Sequence, residues 1–185
     1  MTFLAFLRTW LVSIAVCLPL LALLLIPQLM RSRAGSGQLL IIGTFALLVL
    51  LVAAFVLAPV MSAIAAPVAE RWTPRSALRR SRAVWRSRTG RAWVALGGAV
   101  LAYAAAQGVG YWVGVVVPSV RDNPAFGSGV SEARWLIDYP AYTLQAVAIY
   151  AITTLAIAGY GCRIRAISLA AAPAEVRTGE PAVRT

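Results

Sequence analysis

Four apolar runs, separated by polar segments, set the pattern of the chain. The first covers about Thr9 to Met30 and closes at Arg31 and Arg33. The second covers about 38–66, the third about 92–117, ending before Pro118, and the fourth about 139–161, stopping at Cys162-Arg163-Ile164-Arg165. Each reaches the roughly 20 residues that a helix needs to cross hydrocarbon. The second is longer, so it must tilt, bend at Pro59 or leave the hydrocarbon early. The first run competes with a signal peptide, whose apolar region spans about 7–15 residues before a small-residue cleavage site. This run is longer and ends in Gln28-Leu29-Met30-Arg31, which favours a retained span, kinked at Pro19 and Pro27. The predicted fold is all-α: a polytopic transmembrane bundle of four helices, one domain over residues 1–171. Residues 172–185, rich in Ala, Pro, Glu, Thr and Arg, read as a disordered cytoplasmic tail.

The polar segment from Glu70 to Arg91 interrupts this pattern with a different period. Thr73 before Pro74 reads as an N-cap followed by proline at the first helical position. From there Arg75, Arg79, Arg82 and Arg86 recur at steps of four, three and four, which places them on one helical face. Leu78, Ser81 and Trp85 lie on a neighbouring face, and Gly90 is the expected stop. The prediction is a short amphipathic cytoplasmic helix over about 74–89.

Composition supports the membrane reading. Of 185 residues, 61% are hydrophobic and only 12% charged, about half the charged share of a soluble domain; mean hydropathy is +0.79. The net charge of +11 would suit nucleic acid if it formed a stripe on a soluble surface. All 17 cations are arginine, however, and they flank the apolar runs, which makes them a topology signal and argues against nucleic acid as a partner. Counted by side, Arg8, the eight from Arg71 to Arg91, Arg163, Arg165, Arg177 and Arg184 fall together, against Arg31, Arg33, Arg121 and Arg134. The excess puts both termini and the central loop in the cytoplasm. Trp10, Trp72, Trp93, Trp135 and Tyr139 lie near the expected span ends, where amphipathic rings prefer the interface.

Candidate chemistry is sparse. There is no histidine, which removes the commonest general base and metal ligand. The six acids, Glu70, Asp122, Glu132, Asp138, Glu175 and Glu180, all fall outside the middle of a span, unlike the ionisable residues of proton-coupled carriers. Asp122, Glu132 and Asp138 are close enough in sequence to gather a metal, but a solvated Gly/Ser loop explains them as well. No metal, cofactor or catalytic residue is assigned. Cys17 and Cys162 lie in separate runs and read as small packing residues. Gln107, Gln145, Thr44, Thr153, Thr154 and several tyrosines are the polar groups at membrane depth, explained by hydrogen bonds between helices. Gly98, Ala102, Ala106, Gly110 and Gly114 form a stripe at steps of four, a helix-packing signal within the chain or between copies.

Three short stretches carry a family resemblance: Ala66-Pro67-Val68-Ala69-Glu70, Pro74-Arg75-Ser76-Ala77-Leu78-Arg79-Arg80-Ser81, and Gly90-Arg91-Ala92-Trp93. Together with the closing segment Thr153-Thr154-Leu155 through Cys162-Arg163-Ile164-Arg165, they resemble the membrane domain associated with bacterial glycerophosphoryl diester phosphodiesterases, which also occurs alone, particularly in actinobacteria. The resemblance spans about residues 45 to 168. The usual form has six spans, and Gly159-Tyr160-Gly161 stands where an acidic residue often precedes the arginine pair. These 185 residues hold no stretch that resembles the phosphodiesterase domain itself, so no catalytic residue carries over. The resemblance implies a non-catalytic helical module of a bacterial inner membrane.

The functional expectation is a non-enzymatic membrane protein whose basic helix binds anionic lipid or a membrane or cytoplasmic protein through Arg75, Arg79, Arg82 and Arg86. A small transporter or transporter subunit is the alternative, suggested by Gly/Pro-interrupted spans, and a lipid-acting membrane enzyme is the second alternative.

Overall fold

The computed structural model describes residues 2–30, 37–68, 71–116 and 139–177. Within them the chain is helical: α1 (Phe3–Val16), α2 (Leu18–Leu24), α3 (Pro27–Met30), α4 (Gly37–Ala65), α5 (Pro74–Ser87), α6 (Thr89–Val116) and α7 (Tyr139–Arg177). A single bridge between Val68 and Trp72 is the only extended pairing among the described residues. The expected turn at 31–36 and the loop with Arg121, Asp122, Glu132, Arg134, Trp135 and Asp138 lie outside them, as do Glu70 and the end of the tail.

Three helices, α4, α6 and α7, are each long and apolar enough to cross a membrane. The first apolar run differs from the single kinked span expected over 9–30. It begins at Phe3 and is broken into α1, α2 and α3, with α1 and α2 meeting at 55°. The cause is its prolines. Pro19 has no N–H to offer the Ala15 carbonyl, so α1 closes at Cys17, whose N–H donates to the Ser13 carbonyl at 2.9 Å. Helix α2 then restarts from the Cys17 carbonyl, which accepts from the N–H groups of Leu20 and Leu21. Pro27 opens α3 in the same way.

Each break strands carbonyls that hydrocarbon cannot satisfy. Helix α7 supplies the missing donors. The Tyr150 hydroxyl donates to the Ile14 carbonyl and the Tyr142 hydroxyl to the Leu24 carbonyl. Further along the same face, the Thr154 hydroxyl accepts from the Trp10 indole at 3.2 Å. Tyr142, Ala146, Tyr150 and Thr154 are spaced four apart, so one stripe of α7 holds the broken segment in place.

Helix α7 is the centre of the bundle and packs on α1, α2, α4, α5 and α6. In its most apolar stretch 44% of the residues are buried, against 11% in α4 and 17% in α6. The outer faces of α4 and α6 instead present Ile41, Phe45, Val52 and Val56, and Val94, Leu101 and Trp112, an apolar belt that water would not tolerate. Helix α4 stays continuous through Pro59. Helix α7 continues beyond the expected span end at Gly161 as far as Arg177, into the segment read as tail. Gly161 is no terminator because it sits at a helix crossing: a Cβ there would overlap the Ala58 carbonyl of α4.

Candidate functional site

Helix α5 starts where Thr73-Pro74 placed it. Thr73 is extended (φ −116°, ψ 158°), and its N–H donates to the Ser76 hydroxyl at 3.1 Å, one half of a capping box. The end differs from expectation. The chain breaks at Arg88, whose N–H still donates to the Val84 carbonyl at 2.8 Å, and Gly90 lies inside α6. Arg88 alone leaves helical geometry (φ −134°, ψ 45°), so α5 and α6 join at a one-residue corner.

Burial divides α5 lengthwise. Ala77, Ser81 and Val84 are buried against the bundle, while Arg75, Arg79, Arg82 and Arg86 are all exposed. The structure thus brings the four predicted arginines onto one outward face. They are neighbours at i+3 and i+4, and each such like-charge pair disfavours the helix by about 0.2–0.5 kcal/mol. None of the six acids falls among the residues whose side chains are described, so no described carboxylate relieves that repulsion.

An aromatic chain anchors the inner side of α5. The Trp85 indole donates to the Tyr160 hydroxyl of α7 at 3.1 Å. Tyr160 meets Phe55 of α4 edge-on at 5.8 Å between ring centroids, and Trp85 meets Trp93 of α6 edge-on at 5.4 Å. Four helices are therefore linked through three aromatic contacts, each of a kind worth about 0.5–1.5 kcal/mol. Trp93 remains 60% exposed beside this chain, as an interfacial ring should.

Trp72 is a correction. It was expected at the interface and is instead fully buried beneath the start of α5. Its indole donates to the Ser62 hydroxyl at 3.1 Å, which donates to the Pro59 carbonyl at 2.7 Å. The Val68–Trp72 bridge folds the loop back and carries the ring inward. Buried Arg165 points a guanidinium N–H at the Ser62 carbonyl, 3.5 Å away. Arg80, on the inner side of α5, has a buried Nε without a partner. Sequence spacing singled out neither arginine, because position along α5 or α7 does not reveal which face a neighbour covers.

The stripe of small residues on α6 is met only in part. Ala106 and Gly110 are buried and Ala102 is partly so, but Gly98 is exposed, and a Cβ there would meet open space. Gly114 falls outside the residues whose surroundings are described. The seam runs through Ala92, Ala95, Ala99, Ala106 and Gly110. A strict step of four rotates about 40° per step around a 3.6-residue helix, so it leaves the contact line after two or three steps. The close crossings that the spacing missed are Gly161 on Ala58 and Gly43 on Leu29.

The polar residues at membrane depth separate into two groups. Thr154 bonds to Trp10 and the Ala151 carbonyl. Thr44, Gln107, Gln145 and Thr153 gather around one cavity in the half of the bundle away from α5. Cys17 and Cys162 are free and buried. Among the described residues no group of three potential metal ligands occurs; Asp122, Glu132 and Asp138 lie outside them. Neither a family model, nor a curated protein, nor a solved structure matches the chain.

Proposed function

We propose that the chain is a non-enzymatic membrane module that binds anionic lipid head groups through the exposed arginine face of α5. In this reading the bent α1–α2 segment acts as one span, α4, α6 and α7 make four, and α5 lies on the cytoplasmic surface of a bacterial inner membrane with both termini on that side. The observation that carries it is the lengthwise division of α5: Ala77, Ser81 and Val84 are docked, and Arg75, Arg79, Arg82 and Arg86 are free. Guanidinium groups suit phosphate geometry, and each basic residue near an anionic surface contributes about 1 kcal/mol. The four-arginine face therefore supplies up to about 4 kcal/mol of preference for anionic over zwitterionic lipid. The same proposal relates the chain to the membrane domain of glycerophosphoryl diester phosphodiesterases, which it resembles, in a non-catalytic role.

The test is replacement of Arg75, Arg79, Arg82 and Arg86 by Gln in protein reconstituted in mixed-lipid nanodiscs. Retention of phosphatidylglycerol over phosphatidylcholine should fall by more than tenfold. Unchanged retention in a folded variant sinks the proposal. One observation favours transport as a second reading: the first apolar run is broken beside a cavity partly lined by polar side chains. Solute flux in proteoliposomes, absent across a broad panel, would dispose of it.

A further inference from the structure

The cavity in the half of the bundle away from α5 has a volume of about 250 Å³. Its floor is α7 and its side walls are α4 and α6, which pack on α7 but make no substantial contact with each other. Six uncharged polar side chains line it: Thr44, Tyr103, Gln107, Tyr142, Gln145 and Thr153. Aliphatic wall is supplied by Leu20, Leu24, Leu47 and Leu51. Thr44 and Gln107, one on each side wall, are exposed at the rim.

One of the six is out of place, whereas Tyr142 is satisfied by the Leu24 carbonyl. Gln145 donates from its amide to the Gly110 carbonyl at 2.8 Å. Thr153 is only 1% exposed, and its buried hydroxyl has no hydrogen-bond partner. A threonine in a membrane helix ordinarily turns its hydroxyl back onto a carbonyl of the preceding turn, as Thr154 does onto Ala151. An orphan hydroxyl is costly in hydrocarbon, and such a group in a native structure calls for an explanation. Thr153 lines the cavity wall, and a rotation about its Cα–Cβ bond that turns the hydroxyl into the cavity would let a bound molecule supply that bond.

The lining fixes the class of that molecule. No residue in the described lining is charged, so an ionic head group would lose its hydration without gaining a counter-ion. The hydroxyls and amides both donate and accept, which suits alcohol and ester oxygens. The aliphatic wall and the gap between two bilayer-facing helices suit a chain that leaves sideways into lipid. A water molecule occupies about 30 Å³ of liquid, so the cavity holds a head group and the first carbons while the rest of the chain stays in the bilayer.

We propose that this cavity binds the head of an uncharged, hydroxyl-bearing lipid, of the class of monoacyl- and diacylglycerols and long-chain alcohols, with Thr153 as a hydrogen-bonding residue. The site is separate from the arginine face and does not depend on it.

The experiment uses the full chain in phosphatidylcholine nanodiscs with a photoactivatable diacylglycerol. Crosslinks should map to α4, α6 or α7 and be competed by unlabelled diacylglycerol, but not by phosphatidylglycerol or free glycerol. Thr153→Val should lower the competed labelling about fivefold, the effect of one lost net hydrogen bond. Thr153→Ser should restore it, and the four-Gln variant of α5 should label like wild type. Uncompeted labelling, equal competition by phosphatidylglycerol, competition by glycerol alone, or full competed labelling in Thr153→Val would each overturn the proposal.

Discussion

Replacing Gly161 by alanine adds one methyl group at the point where α7 crosses α4. The Cβ would overlap the carbonyl group of Ala58, which is backbone within a continuous helix and cannot rotate away. Relief requires the two helices to separate, and a gap of 0.5–1 Å already forfeits about a quarter to a half of each local dispersion contact. The neighbours that would lose contact include Ala58, Ile157 and Ile164, all fully buried. Overpacking of this kind costs about 1–3 kcal/mol, offset by up to about 1 kcal/mol because alanine favours the helix over glycine. Because the overlap is with backbone, the upper part of that range applies, and the expected net loss is about 1–2 kcal/mol, or roughly five- to thirtyfold in the unfolding equilibrium. Gly159, two residues earlier, has open space around a built Cβ, and so does Gly98 on α6. Their alanine variants should be neutral or slightly stabilising. Steric trapping of reconstituted protein measures all three. If Gly161→Ala matches wild type, or Gly98→Ala is the more damaging, the described packing of α7 is wrong.

Other expectations follow from the polar contacts. Tyr150→Phe and Tyr142→Phe remove the donors to the Ile14 and Leu24 carbonyls and should each lose about 0.5–2 kcal/mol by the same assay; hydrogen exchange should rise at the Cys17 break in the first and near Leu25 in the second. Trp85→Phe keeps a six-membered ring but removes the bond to Tyr160 and part of the ring surface; proteolysis within α5 should quicken, reflecting about 1 kcal/mol or more of weakened docking. Thr153→Val should be neutral or stabilising by up to about 1 kcal/mol in detergent without added lipid, because it removes a hydroxyl that is unpaired in the structure. A clear loss of stability would mean that Thr153 serves the fold rather than a ligand.

The parts of this architecture readable from the chain are those set by local rules. Apolar length identified α4, α6 and α7, and Thr73-Pro74 with the 4-3-4 arginine spacing identified α5 and its outward face. The remainder depends on which surfaces meet. Pro19 and Pro27 announced a disturbance in the first run, but its size depends on Tyr142 and Tyr150 being in reach on α7, more than a hundred residues away. Trp72 resembles any interfacial tryptophan until the Val68 bridge turns it onto Ser62. On α6 a spacing of four suggested Gly98, whereas helix geometry moved the seam to Ala99. The cavity was legible only as scattered polar residues. Thr44, Gln107, Gln145 and Thr153 sit on three helices, and only the packing on α7 brings them together.

The arginine face is tested most directly by a comparison at equal charge. One variant carries Gln at Arg75, Arg79, Arg82 and Arg86; the other carries Gln at Arg8, Arg71, Arg91 and Arg163, which are also exposed. Both lose four positive charges. Phosphatidylglycerol retention in nanodiscs at fixed ionic strength should collapse in the first and fall only modestly in the second. Equal losses in the two variants would show that net charge, and not the face of α5, attracts the lipid.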